Sequence, residues 1–131
     1  LPVRMARHGA SALEVARVLE RHPKVARVLH PARAGSPGHA IFERDFTGAS
    51  GLFGFELHGS RSQEAEGRFC DTMRHFRIGF SWGGFESLII PARAHRRLAA
   101  SGPAPLRFRV SIGLEDPADL IADLADALDR V

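Results

Sequence analysis

In the segment LRFRVSIG, Arg107 and Arg109 stand two positions apart, with Leu106, Phe108, Val110 and Ile112 at the alternate positions. That alternation reads as a strand with an apolar side against a core and two guanidiniums projecting from the other side. A planar guanidinium binds a carboxylate through two parallel hydrogen bonds. Ser111, Gly113 and the turn GLED leave space for such a ligand beside Arg109. The bland alternative is a surface arginine paired with Glu or Asp. A second stretch, GFSWGGFESLIIP from Gly79 to Pro91, combines the single Trp82, the pair Gly83-Gly84 and an acidic residue expected to be buried among apolar neighbours. This composition suits a site built on a strand end better than a surface loop or a plain core strand.

Other reactive side chains carry less. None of the seven histidines falls at ligand spacings such as His-x-x-x-His, and Cys70 has no cysteine partner, so no metal site is expected. Cys70 lies in a helical pattern, where a packed, inert thiol is the expected outcome. The glycines of GASGLFG precede a strand rather than a helix and lack a following Gly-Lys-Ser/Thr, which makes them a turn and not a phosphate loop. Lys24, the only lysine, is the only candidate for a Schiff base, but between Pro23 and an apolar strand it reads as a solvated strand-edge residue.

The elements that must position these residues follow from periodicity. A helix is predicted from about Met5 to His22, ended by Pro23, and a strand in KVARVLHP. ARAGSPG is a loop, and HAIFERDF makes one or two helical turns. GASGLFGFEL alternates, with Phe53, Phe55 and Leu57 on one face, and predicts a strand. Ala65, Phe69, Met73 and Phe76 repeat at helical spacing between Ser62 and about His75. Phe76, Ile78, Phe80 and Trp82 then alternate as a third strand ending at the glycine pair. The strand with Arg107 and Arg109 is the fourth. Asp116 as N-cap, Pro117 at the first helical position and the stripe Leu120, Ile121, Leu124 and Leu128 predict a C-terminal helix. The order of elements suggests an α/β (α+β) fold class: a small sheet of about four strands with helices on one face, in a single domain over residues 1–131.

Composition excludes several classes of function. A chain of 131 residues with 44% apolar and 25% charged residues has the make-up of one globular domain with a real core. No apolar run is long enough to cross a membrane. Seventeen of the eighteen cations are Arg, but they are interleaved with acids along the chain, and the densest group is only His95 to Arg97. Nucleic-acid binding, which needs clustered cations, is not expected. The lack of an apolar signal core and the lone cysteine point to a reducing cytoplasm. A chain that starts at Leu1 is also compatible with a piece of a longer protein.

Three segments, GHAIFERDFTGASGLFGFEL, GFSWGGFESLIIP and RVSIGLEDPADLIADLADAL, together closely resemble the C-terminal domain of the Cys/Met-metabolism pyridoxal-phosphate (PLP) enzymes. The resemblance spans nearly the whole chain, and Trp82 in SWGG leans toward the cystathionine beta-lyases among them. It implies the small domain of a fold-type I PLP enzyme, a mostly antiparallel sheet with helices on one side, active in methionine biosynthesis as a cytoplasmic homotetramer with cystathionine as substrate. Arg109 then matches the arginine that grips the substrate α-carboxylate. Ser81 and Trp82 match residues lining the substrate pocket, with Ser81 and Phe80 on the cofactor side. Phe80 stands where some beta-lyases have Tyr.

The large PLP domain with its Schiff-base lysine lies upstream in that family, so this chain is expected to hold no catalytic residue, to bind no PLP alone and to be inactive by itself. The alternatives are a gamma-lyase or gamma-synthase of the same family, or a freestanding binding module without catalysis.

Overall fold

The computed structural model describes residues 1–93 and 104–131. The cluster His95 to Arg97 lies outside them. The chain runs α1 (Pro2–Arg21), β1 (Val25–Leu29), α2 (His39–Asp45), β2 (Leu52–Ser60), α3 (Gln63–Asp71), β3 (Arg77–Ile78), β4 (Leu88–Pro91), β5 (Pro105–Ser111) and α4 (Pro117–Asp129). The strands form one sheet in the order β1-β2-β5-β4-β3. All pairs are antiparallel except β3 with β4.

The expected alternation decides which face is covered. Phe53, Phe55 and Leu57 of β2 and Leu106, Phe108 and Val110 of β5 are buried, and they continue into Ile112 and Ile89. Against them pack Ala12, Val15, Ala16 and Leu19 of α1, Phe69 and Cys70 of α3, and Leu120, Leu124, Ala127 and Leu128 of α4. Phe55, Phe69 and Phe108 form an aromatic cluster at the centre, with the rings of Phe69 and Phe108 4.5 Å apart. Helices thus cover one face, as expected, and the other face carries the charged residues of β1, β2 and β5.

Helix ends follow local chemistry. Ser62 Oγ accepts from the Ala65 N–H at 3.1 Å and caps α3, while Asp116 accepts from the Ala118 N–H at 2.9 Å and caps α4, with Pro117 in the first turn. α3 stops at Asp71, short of the predicted His75. The reason is tertiary: the N–H groups of Arg74, His75 and Phe76 donate to the buried Asp123 carboxylate on α4, at 2.7 to 3.4 Å, instead of continuing a helix. Lys24 is half-buried at the sheet edge and more engaged than a simply solvated lysine. Its Nζ donates to the carbonyls of Leu128, Asp129 and Val131 and ties the end of α4 to the start of β1.

The third predicted strand is corrected. Only Arg77 and Ile78 pair in the sheet, and the chain then leaves it. Phe80 is 82% exposed, Trp82 66% and Phe85 68%, so these rings do not continue the core face begun by Phe76. Sequence reasoning also missed β4. Its run Leu88-Ile89-Ile90-Pro91 has no alternation to betray a strand, because Ile89 and Ile90 are both buried between β3 and β5. Glu86 is exposed rather than buried, and it faces Arg77 at 3.5 Å.

Candidate functional site

Residues 79 to 87 form an arch that leaves β3, passes beside the C-terminal half of β5 and returns as β4. Gly83 turns the arch at φ +75°, a left-handed conformation that disfavours other residues. Its N–H donates to Ser111 Oγ at 3.3 Å. Where the arch lands, the Leu114 N–H donates to the Phe85 carbonyl at 2.8 Å. Gly113 is required there, since a Cβ at this position would collide with the Phe85 carbonyl oxygen.

Beside the arch the two arginines of β5 meet different fates. Arg107 Nε donates to Glu56 Oε1 at 2.7 Å, and Arg27 of β1 grips the same carboxylate through Nε and Nη2, both at 3.1 Å. Glu56 is buried on β2, directly across from Arg107. Burial alone would raise its carboxyl, but the hydrogen bonds from Arg27 and Arg107 outweigh that and hold it below the ordinary carboxylate range. Arg107 is therefore the paired arginine of the bland alternative.

Arg109 is not. Its cross-strand neighbour on β2 is Gly54, which contributes no side chain beside the guanidinium. Arg109 Nη2 donates to the carbonyls of Phe80 at 2.7 Å, Gly79 at 3.3 Å and Ser81 at 3.4 Å, and it meets no carboxylate among the described residues. Its Nε is buried without a partner. The structure thus brings Arg109 together with the backbone of Phe80 and Ser81. Trp82 follows with its ring on the exposed rim of the arch.

Below the arch lies His8 of α1, buried, with Nε2 unpartnered. Burial holds this imidazole below its ordinary range, assisted by Arg4 and opposed by Glu115 and the Gly84 carbonyl. Cys70, buried far along the chain in α3, has its thiol pushed up to about 11 by burial and by Asp71 and Glu66. It is no nucleophile at neutral pH.

A model of the Cys/Met metabolism PLP-dependent enzymes matches residues 1–129. The chain belongs to that family. A cystathionine beta-lyase of Bordetella avium is 47% identical over 99% of this chain and 33% of its own length. A cystathionine gamma-lyase of Dictyostelium discoideum is 36% identical over 99% of this chain and 35% of its own. The crystal structure of cystathionine gamma synthase from Xanthomonas oryzae pv. oryzae, in complex with aminoacrylate and cysteine, superposes with a TM-score of 0.83 at 34% identity, over 98% of this chain and 35% of that one. The chain spans about a third of the length of the curated relatives it matches. Its fold is that of a domain of the fold-type I PLP enzymes.

Attachment of PLP as a Schiff base needs a lysine amine, and Lys24, the one lysine of the chain, is spent on three backbone carbonyls at the end of α4. Sequence reasoning placed Ser111 and the turn GLED beside Arg109 as room for a ligand; in the structure Ser111 and Glu115 instead support the arch, through Gly83 and Ser87. The role of Ser87 was missed.

Proposed function

We propose that residues 1–131 are the C-terminal small domain of a PLP-dependent carbon–sulfur beta-lyase that converts cystathionine to homocysteine, pyruvate and ammonia in methionine biosynthesis. The domain's part is to bind substrate. Arg109 takes the α-carboxylate, Ser81 and Trp82 line the substrate pocket, and Ser81 and Phe80 face the cofactor. The family resemblance carries with it a cytoplasmic homotetramer, with the cofactor lysine on the part of the enzyme outside this chain. Alone, the chain is inactive.

The observation that carries this reading is the contrast on β5. Arg107 is matched by a carboxylate, whereas Arg109 meets only backbone carbonyls among the described residues. Carbonyl oxygens orient a guanidinium but leave its charge for an incoming anion. PLP supplies the electron sink for bond breaking at the substrate's α-carbon. Arg109 supplies the fixed point from which that carbon is oriented.

The beta rather than the gamma reaction is favoured by Trp82 and by the higher identity to the Bordetella avium beta-lyase, 47% against 36% for the Dictyostelium discoideum gamma-lyase. The test is the keto acid that the full-length enzyme releases from cystathionine. Pyruvate supports a beta-lyase. 2-Oxobutyrate would move the assignment to the gamma branch, and no product would favour a non-catalytic binding module.

A further inference from the structure

The arch that holds Arg109 is held in turn by a carboxylate. Both oxygens of Glu115 are spent on one residue at the foot of the arch: Oε1 accepts from the Ser87 N–H at 2.6 Å and Oε2 from the Ser87 hydroxyl at 2.9 Å. Ser87 Oγ also accepts from the Gly113 N–H at 2.9 Å, which closes a ring across the end of β5. Ser87 is fully buried. Charge-assisted bidentate bonds of this kind are stronger and more directional than neutral ones. Between Ile78, where β3 ends, and Ser87, the arch is also fixed by Gly83 to Ser111, Phe85 to Leu114, the exposed pair Glu86–Arg77 and a long contact from the Gly79 N–H to the Ile89 carbonyl, while the Ser87 carbonyl accepts from the Arg77 N–H at 3.0 Å.

We propose that Glu115 is a positioning residue for Arg109: by gripping Ser87 it sets the height of the arch over β5, and with it the carbonyls of residues 79 to 81 that hold the Arg109 guanidinium. This rests on the reading of Arg109 as the carboxylate-binding residue. Without Glu115, the Ser87 N–H and O–H lose their acceptor, Ser87 is held only through its Oγ to Gly113 and its carbonyl to Arg77, and the arch can shift against β5. The guanidinium then loses its fixed orientation while keeping its charge. The consequence is weaker substrate capture, with less effect on the steps that follow.

The experiment measures steady-state kinetics with cystathionine, and thermal melting, for the PLP-loaded full-length enzyme carrying Glu115→Ala, Glu115→Gln, Ser87→Ala, Arg109→Lys or the Glu115→Ala/Arg109→Lys pair. Glu115→Ala is expected to raise KM about tenfold with kcat changed less than about threefold. Glu115→Gln, which keeps an acceptor oxygen toward Ser87, recovers most of that loss, and Ser87→Ala falls between. In the pair the KM effects are less than multiplicative, because both changes act through one guanidinium. If Arg109→Lys raises KM but Glu115→Ala, Glu115→Gln and Ser87→Ala only lower the melting temperature and leave KM within about twofold, the positioning role is wrong and the reading of Arg109 stands. If Arg109→Lys itself leaves KM and kcat unchanged, the reading beneath it is wrong. Should Glu115→Ala not fold, Ser87→Ala decides the same question.

Discussion

Arg107 and Arg109 project from one face of β5, two residues and about 6–7 Å apart, yet only Arg107 meets a carboxylate, that of Glu56, among the described residues. One strand therefore carries a structural arginine and an available one. The difference is set by β2, which places Glu56 opposite Arg107 and Gly54 opposite Arg109.

Replacing Glu56 with Gln removes the anion shared by Arg27 and Arg107 and leaves two cations facing each other across a mostly buried amide. Arg27 is half exposed and its share is screened, so the cost is set mainly by Arg107. A loss of about 1–3 kcal/mol is expected in urea unfolding, largely restored in the Glu56→Gln/Arg107→Leu double variant.

Asp123→Ala should be more damaging than its place on a helix suggests. It strips the acceptor from the N–H groups of Arg74, His75 and Phe76, the last of them buried. Leaving such donors unpaired costs about 1–3 kcal/mol each where water cannot reach them. Asp123→Asn, which keeps one acceptor oxygen, should lose less than half as much in the same unfolding assay.

Stability should decline with acid in two stages. His8 and His30 are both buried with Nε2 unpartnered, and burial is the main cause lowering each below 6.5. The unfolded chain then binds more protons than the native one as pH falls through about 6.5, so stability falls there. Glu56 is lowered from 4.5, so its contribution is full above that value and is lost as pH falls through its folded range. Urea midpoints measured from about pH 8 to about pH 2 should be flat above neutrality, then decline through the histidine range and again below the ordinary carboxylate range. A flat profile through the histidine range would contradict the burial of neutral imidazoles.

Lys24 is expected to form no stable aldimine. Its Nζ is occupied by the carbonyls of Leu128, Asp129 and Val131. Incubation of the chain with PLP, followed by borohydride reduction and mass mapping, should leave Lys24 largely unlabelled. Stoichiometric reducible labelling would show that this lysine is free and reactive.

The main strands and helices were legible because their signals are local. Alternation marks β2 and β5, and the Asp116-Pro117 pair opens α4. Arg109 was legible as a chemical candidate for the same reason, since alternation alone puts it on the uncovered face. The failures share a different cause. β4 is a four-residue apolar run whose strand character comes from insertion between β3 and β5. The arch after Ile78 alternates in sequence as a strand would, but its carbonyls bond to Arg109 instead of a ladder. Asp123 ends α3 from 47 to 49 residues away in sequence, and Glu115 reaches Ser87 across 28. No local pattern encodes partners so distant.

The most direct test of the account is the kinetic comparison of Arg109→Lys with Arg107→Lys in the full-length enzyme. Lysine keeps the charge at position 109 but replaces the two-pronged donor with a single flexible one, so kcat/KM for cystathionine should fall by about ten- to a hundredfold, or roughly 1.5–3 kcal/mol. Arg107→Lys, whose charge still faces Glu56, should lose stability but little activity. The account is contradicted if Arg107→Lys damages turnover while Arg109→Lys does not, since the substrate carboxylate would then sit one strand repeat from where it is placed.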